Sequence, residues 1–388
     1  MPMYDADDIV ELKNRKKRRK RRIKFLVFLL VAALVAGLYY TKDMWLPKLK
    51  GIGKQYQIIK NDGRLAEGNF PIEISGGAGY QLKYSDDKVF LLSDAYIYYY
   101  NTDGGLLKKR QHVYSNSVLN TAGGNALIYE SGGNELSVEN EDEVIYTKSY
   151  DSIIMFARLS SKGYTAVVTS SGTYACELTV YDDDGKMIYE RNCVERISDI
   201  SFTDDSNGCV ISYIGAQNGT IVTKIQKITF TSEKEKWTSP DVDTLGLEVY
   251  GSGDGAFVLG YTSCAYINSS GQISSYYNYE GDLAGGDSKG GKSAVILNDE
   301  DRRKYTLVLF KNESETPVTV EFKEPLDDVA VYDGLVYVMS KGEIQAYDFG
   351  GTLRSTAEIS DSYHEFRRSD DYIYLMGYNR VDRINYNS

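Results

Sequence analysis

Residues 164–190 read YTAVVTSSGTYACELTVYDDDGKMIYE. A short apolar run, a Ser-Gly turn, an alternating run and an Asp-Gly turn follow one another, and no apolar residues recur at helical spacing. Asp hydrogen-bonds its own backbone in turns and Gly tolerates positive φ, so the DDDG stretch predicts a tight hairpin. If Asp184 and Gly185 centre it, positions summing to 369 face each other, which sets Cys176 against Cys193. A cross-strand disulfide and two reduced, half-buried thiols both remain open there, since a bulge would shift the register.

The same two-strand unit recurs along the chain. Its first member is short and apolar: KVFLLS at 88, NALIYES at 125, GCVISYI at 208, GAFVLGY at 255, KSAVILN at 292, LVYVMS at 335 and YIYLMGY at 372 accompany the copy at 164. Each is followed by a strand ending in a polar turn, such as LTVYDDDGK at 178 or IQAYDFGG at 344. Equivalent turns lie roughly 36 to 49 residues apart, the length of a four-stranded blade. A small antiparallel sheet cannot bury both faces alone, so such units stack on their neighbours and close into a ring. The expected fold is therefore all-β, a β-propeller of eight four-stranded blades spanning residues 55–388, with seven blades as the next count. The eighth copy lacks an outer strand after Tyr386, and NDGRLAEGNFPIEI at 61–74 is expected to supply it.

The outer hairpins VYDDDGKMIYE and AYDFGGTLRS resemble those of the quinoprotein-like propeller superfamily. There a strand ends in Asp, a Gly turn follows, and an aromatic residue packs between blades. The resemblance implies Trp at the packing position; Trp237 keeps it, with Tyr146 and Tyr189 as substitutes. With its basic tail and Tyr-rich repeats, the chain also looks like a domain-of-unknown-function family of membrane-anchored Gram-positive envelope proteins, a resemblance that implies a setting and no activity.

Upstream of the repeats, residues 13–24 hold ten Lys or Arg, and residues 25–40 (FLVFLLVAALVAGLYY) hold no charge. Sixteen residues at about 1.5 Å each span roughly 24 Å, close to a bilayer core of about 30 Å. The reading is a transmembrane α-helix anchored by Lys24 and Phe25 at one interface and by Tyr39, Tyr40 and Trp45 at the other. Lys and Arg stay inside, so residues 1–24 form a basic cytoplasmic tail, residues 41–54 a juxtamembrane stalk, and residues 55–388 an extracytoplasmic body outside the cell membrane.

The whole chain carries −11; residues 1–24 hold ten basic and four acidic groups, which leaves −17 on the remainder. An acidic body of this kind disfavours nucleic acid. Only two histidines, His112 and His364, are present, and the four cysteines show no CxxC spacing. Neither a Ser-His-Asp triad nor a zinc site is therefore expected, and no cofactor is predicted. Asp182–Asp184 and Asp204–Asp205 read as turn residues. The thirty-four tyrosines are chiefly blade packing. The candidate binding face comprises Tyr276, Tyr277, Tyr279, His364, Arg367 and Arg368. The expected function is non-enzymatic: a membrane-anchored propeller presenting a surface to an envelope protein or a cell-wall glycan. An envelope hydrolase with acidic residues at the channel is the competing reading.

Overall fold

The computed structural model describes residues 59–61, 65–75, 79–232 and 234–386. The tail, the anchor residues Lys24, Phe25, Tyr39, Tyr40 and Trp45, and the stalk lie outside them. Among the described residues no helix is long and apolar enough to cross a membrane.

The repeats form eight four-stranded antiparallel sheets in chain order: blade 1 (81–111), blade 2 (117–149), blade 3 (154–193), blade 4 (196–238), blade 5 (246–278), blade 6 (282–322), blade 7 (326–358) and blade 8 (363–385). Blade 8 has three consecutive strands; its outermost is Ile72–Glu73, whose Ile72 pairs with Val381. An isolated bridge from Leu65 to Ile384 extends the same pairing. The N-terminal segment thus closes the ring, as its turn-and-strand sequence predicts. A further strand, Ile59–Asn61, runs parallel to Leu353–Glu358 and makes blade 7 five-stranded.

There is no single core. Buried apolar residues fall into eight clusters, one at each junction between adjacent blades. The junction of blades 3 and 4, for example, packs Val168, Leu178 and Val180 on Ile197, Cys209 and Ile211. This arrangement explains the continuous apolar runs. A second strand such as Lys88–Leu92 is sandwiched on both faces, so four of its five residues are buried and alternation disappears. Fourth strands cover only the rim, and Leu106–Gln111 is almost wholly exposed.

Outer-strand aromatics lock one blade to the next turn. Tyr146 of blade 2 lies over Gly185 of blade 3, whose φ is +78° and whose substitution by any Cβ would place that atom 2.6 Å from the Tyr146 ring. Trp237 makes the same contact with Gly271 and Phe70 with Gly104. Trp237 and Tyr146 therefore occupy the packing position that the hairpin resemblance implies. Tyr189 instead packs on Phe230, ring centroids 5.5 Å apart.

Candidate functional site: the channel and its mouth

The innermost strands surround the axis, and each reaches the next blade through a side chain. Gln81 accepts a hydrogen bond from Leu119 N (2.9 Å), and Asn120 accepts one from Leu159 N (2.9 Å). Arg158 pairs with Asp199 at 2.6 Å, and Asp199 accepts from Val249 N (2.9 Å). The Tyr250 hydroxyl reaches within 3.2 Å of Gly286 O, Asp287 accepts from Val331 N and Asp328 from Phe366 N; Arg367 donates to Leu82 O and closes the circle. All eight junctions carry such a clasp. A backbone group next to the channel needs a partner once its own blade has ended, and a short polar side chain from the neighbour supplies it.

The axis is charged. Lys83 of blade 1 responds to Arg367, Glu365, Glu248 and Arg158, which belong to blades 8, 5 and 3, so these side chains converge from across the ring. Burial lowers the Lys83 pKa, and Arg367 lowers it further. Asp199, Asp287 and Asp328 are pushed above the usual carboxylate range, chiefly by burial, although Arg158, Arg367 and backbone N–H groups act against the shift. Tyr250 is likewise raised by burial and then by Glu248, to which its hydroxyl donates. No group of three or more metal-ligating side chains exists among the described residues.

At the end of the channel where the blade-to-blade connections run, the innermost strands of blades 3 to 8 each carry a β-bulge at the same place. The skipped residues are Met155, Ser198, Leu247, Ala284, Asp327 and His364. A bulge adds one residue without a partner and re-aims its side chain. Here the fold repeats that device six times around one mouth, and the residue types differ by sector. Met155 and Leu247 flank Ser198, whose hydroxyl is tied to Ser212 (2.8 Å), and the three line a cleft of about 470 Å³ between blades 3 and 5. Ile153, Phe156, Ile214 and Leu245 complete its apolar wall, and Arg196 is its one charged lining residue. Across the mouth, His364 is exposed and lines a separate hollow of about 310 Å³ with Tyr80 and Tyr378.

Exposed apolar side chains gather on the same sector. Ile153, Tyr174, Val194, Ile221, Leu247 and Tyr261 all sit in loops or strand ends on the connection side of blades 3 to 5, with Val194 82% exposed and Tyr261 62%. The opposite face, made of the turns between first and second and between third and fourth strands, carries Asp86, Asp87, Asp142, Asp183, Asp204 and Asp370 beside exposed Leu106, Val144 and Met187.

The candidate residues expected from sequence do not form one face. Arg367 lies in the channel, ion-paired with Glu365 and with Asp328 (3.4 Å). Its neighbour Arg368 points the other way, 6% exposed among the rings of Tyr332, Tyr337 and Tyr386. His364 reaches the mouth. Tyr276, on the outermost strand of blade 5, donates to Asp243 O (3.1 Å), while Tyr277 and Tyr279 pack at the junction of blades 5 and 6, Tyr277 edge-on to Phe310. Cys176 faces Cys193 in register and both thiols are free and buried. The Cys193 thiol lowers Cys176 to about 7 and is itself pushed up. Met155 and Leu247 carry no signal in the sequence, because a bulge leaves no mark in residue type, and Arg196 carries none because only the stacking of blades sets it beside them.

A family model, Family of unknown function (DUF5711), matches residues 66–385. The chain belongs to the DUF5711 family. No curated protein matches. Among solved structures, this DUF5711 chain is similar to the computationally designed Ika8 protein, with a TM-score of 0.62, 14% identity, and 81% of this chain and 98% of that one covered. It is also similar to BamB from Moraxella catarrhalis, with a TM-score of 0.55, 12% identity, and coverage of 81% and 100%. At these identities the likeness is one of fold. The eight-bladed propeller of the DUF5711 chain thus shares its fold with these proteins.

Proposed function

We propose that this chain is a membrane-anchored propeller that holds a protein partner on the connection-side mouth of its ring, outside the cell membrane. The observation that carries the reading is the apolar cleft of blades 3 to 5, lined by exposed Ile153 and Leu247, with Val194, Ile221 and Tyr261 exposed on the same side of these blades. Eight clasped blades hold loops from separate repeats around one axis, so a partner meets a preformed surface with little ordering cost. The aliphatic wall favours a protein over a cell-wall glycan, which prefers flat aromatic platforms and many hydroxyl partners. The channel carboxylates Asp199, Asp287 and Asp328 spend their oxygens on the neighbouring blade's backbone, which supports a structural reading of them rather than a hydrolytic one. The anchor at residues 25–40 and the N-inside orientation follow from the basic block and the uncharged run.

The test has two arms in the native host. A reporter fused after Ser388 is expected to be active only outside the membrane; cytoplasmic activity would overturn the topology. A photo-crosslinking residue at Leu247 is expected to trap a partner protein that is lost when Ile153→Asp is added, whereas the same probe at Asp183 on the opposite face traps none. Equal trapping at both positions would remove the binding face from the mouth.

A further inference from the structure

Resting on that reading, we infer that the cleft takes an extended peptide segment of the partner, one that presents a carboxylate beside apolar side chains and adds as a strand to blade 4. Two independent features of the molecule lead there.

The first is Arg196. It starts the innermost strand of blade 4, pairs with Ile214, is exposed, and lines the cleft as its single charged residue. Among the described residues its side chain forms no ion pair and no hydrogen bond, although the chain as a whole carries −11. Nearby carboxylates are otherwise engaged: Glu195 and Asp241 share Lys224. A cation left free in an apolar cleft of an acidic protein selects an anionic group on the ligand, and a guanidinium suits a carboxylate in particular, which it binds with two parallel donors.

The second is the hairpin above it. The second and third strands of blade 4, Gly208–Gln217 and Thr220–Thr229, are the longest in the fold, at ten residues each. Their pairing continues to Gln217 and Thr220 around a turn in which Asn218 has a φ of +51° and Gly219 one of +85°. These are the residues and signs of a type I′ turn. The innermost strand, however, stops at Arg196 opposite Ile214. Gly215, Ala216 and Gln217 are therefore paired on one side only, and a Cβ built on Gly215 meets nothing but Val222 of its own partner strand. This edge stands directly beyond Arg196, so an added strand would continue the line of the innermost strand with its end near the guanidinium.

Exposed edges are normally blunted by charge, Pro or a bulge. None of these is present: from Ser206 to Thr223 the sequence SNGCVISYIGAQNGTIVT holds no charged residue and no Pro, and the pairing beyond Ile214 is regular. In a strand complex the backbone supplies affinity, alternate side chains enter the apolar wall of Met155, Leu245 and Leu247, and Arg196 sets the sign of charge accepted.

The experiment uses the full chain in detergent micelles and fluorescence anisotropy with three fluorescein-labelled hexapeptides. One is Ser-Gly-Asp-Val-Ile-Phe, one carries Lys in place of Asp, and one is the Asp peptide N-methylated at alternate backbone positions. The Asp peptide is expected to bind at least tenfold more tightly than the other two. Arg196→Gln is expected to erase its advantage over the Lys peptide, and Leu247→Asp to weaken both, with the near-UV circular dichroism of each variant unchanged. Equal binding of the Asp and Lys peptides, or no loss on N-methylation, or no binding at all, would overturn the inference. If peptide binding fails while Leu247 still traps a partner in membranes, only this inference falls; if both fail, the binding face falls with it.

Discussion

Replacing Arg383 by Met tests whether one buried guanidinium closes the ring. Arg383 is 1% exposed and touches three separate parts of the chain. Its Nη2 donates to Glu67 O on the N-terminal segment; its Nη1 donates to Thr102 O and pairs with Asp103 at 2.9 Å, both in blade 1; and its plane stacks 3.9 Å from the Tyr372 ring in blade 8. Met preserves most of the stem volume and removes every donor. Two charged hydrogen bonds to carbonyls contribute about 1.5 to 3 kcal/mol each. The Asp103 side chain is 65% exposed, so its ion pair adds under about 1 kcal/mol. Burying the Met thioether in place of the guanidinium returns part of the loss, and the net destabilisation is about 3 kcal/mol. At about 2.1 cal/mol/K per residue, the propeller unit Ile58–Ser388 unfolds with an entropy of about 0.7 kcal/mol/K, so Tm should fall by about 4 °C. Scanning calorimetry measures this directly, and limited proteolysis should find cuts within residues 65–75 appearing first. A shift below about 1 °C with no new cuts would show that strand pairing and apolar packing close the ring without the clamp. Adding Asp103→Asn to the variant should change little, because that carboxylate is mostly solvated.

Three further outcomes are expected. Asp199, Asp287 and Asp328 have folded pKa values above their unfolded ones. The folded state therefore binds protons more tightly, and stability from this source rises as pH falls through the folded values and is lost as pH rises. Tm measured between pH 7 and pH 5 should increase, and Asp287→Asn, which keeps an oxygen for Val331 N, should reduce the slope; an unchanged slope would contradict the assignment. Gly185→Ala sets a Cβ into the Tyr146 ring at a backbone φ of +78°. It should cost more than about 1 kcal/mol by urea denaturation, partly restored by Tyr146→Ala. Cys176 and Cys193 are opposed in register, with Cys176 lowered to about 7. They should form a disulfide when the protein is incubated with oxidised glutathione, releasing two equivalents of reduced glutathione. A mass lowered by two hydrogens that is absent in Cys193→Ser confirms it, and unchanged thiol titration refutes it.

The blade count and ring closure were legible in the chain because they rest on local chemistry. A buried second strand must be apolar throughout, a hairpin must turn on Asp and Gly, and a missing outer strand must be found elsewhere; each leaves a mark in residue type at a fixed spacing. The opposition of Cys176 and Cys193 is present, but not through a two-residue turn centred on Asp184 and Gly185: Gly185 N closes on Asp182 O, and a bulge between Val180 and Tyr181 restores the register. The site was not legible in this way. Arg367 and Arg368 are adjacent in sequence, yet strand alternation sends one into the channel and the other among three tyrosine rings. Met155, Ser198, Leu247 and His364 share no residue type, and they meet at one mouth only because each is the extra residue of a bulge and the ring brings six bulges together. Lys83 and Glu248, four blades apart in the chain, interact only once the ring closes around an axis. Local pattern determined what each repeat becomes; closure alone decided which side chains face one another.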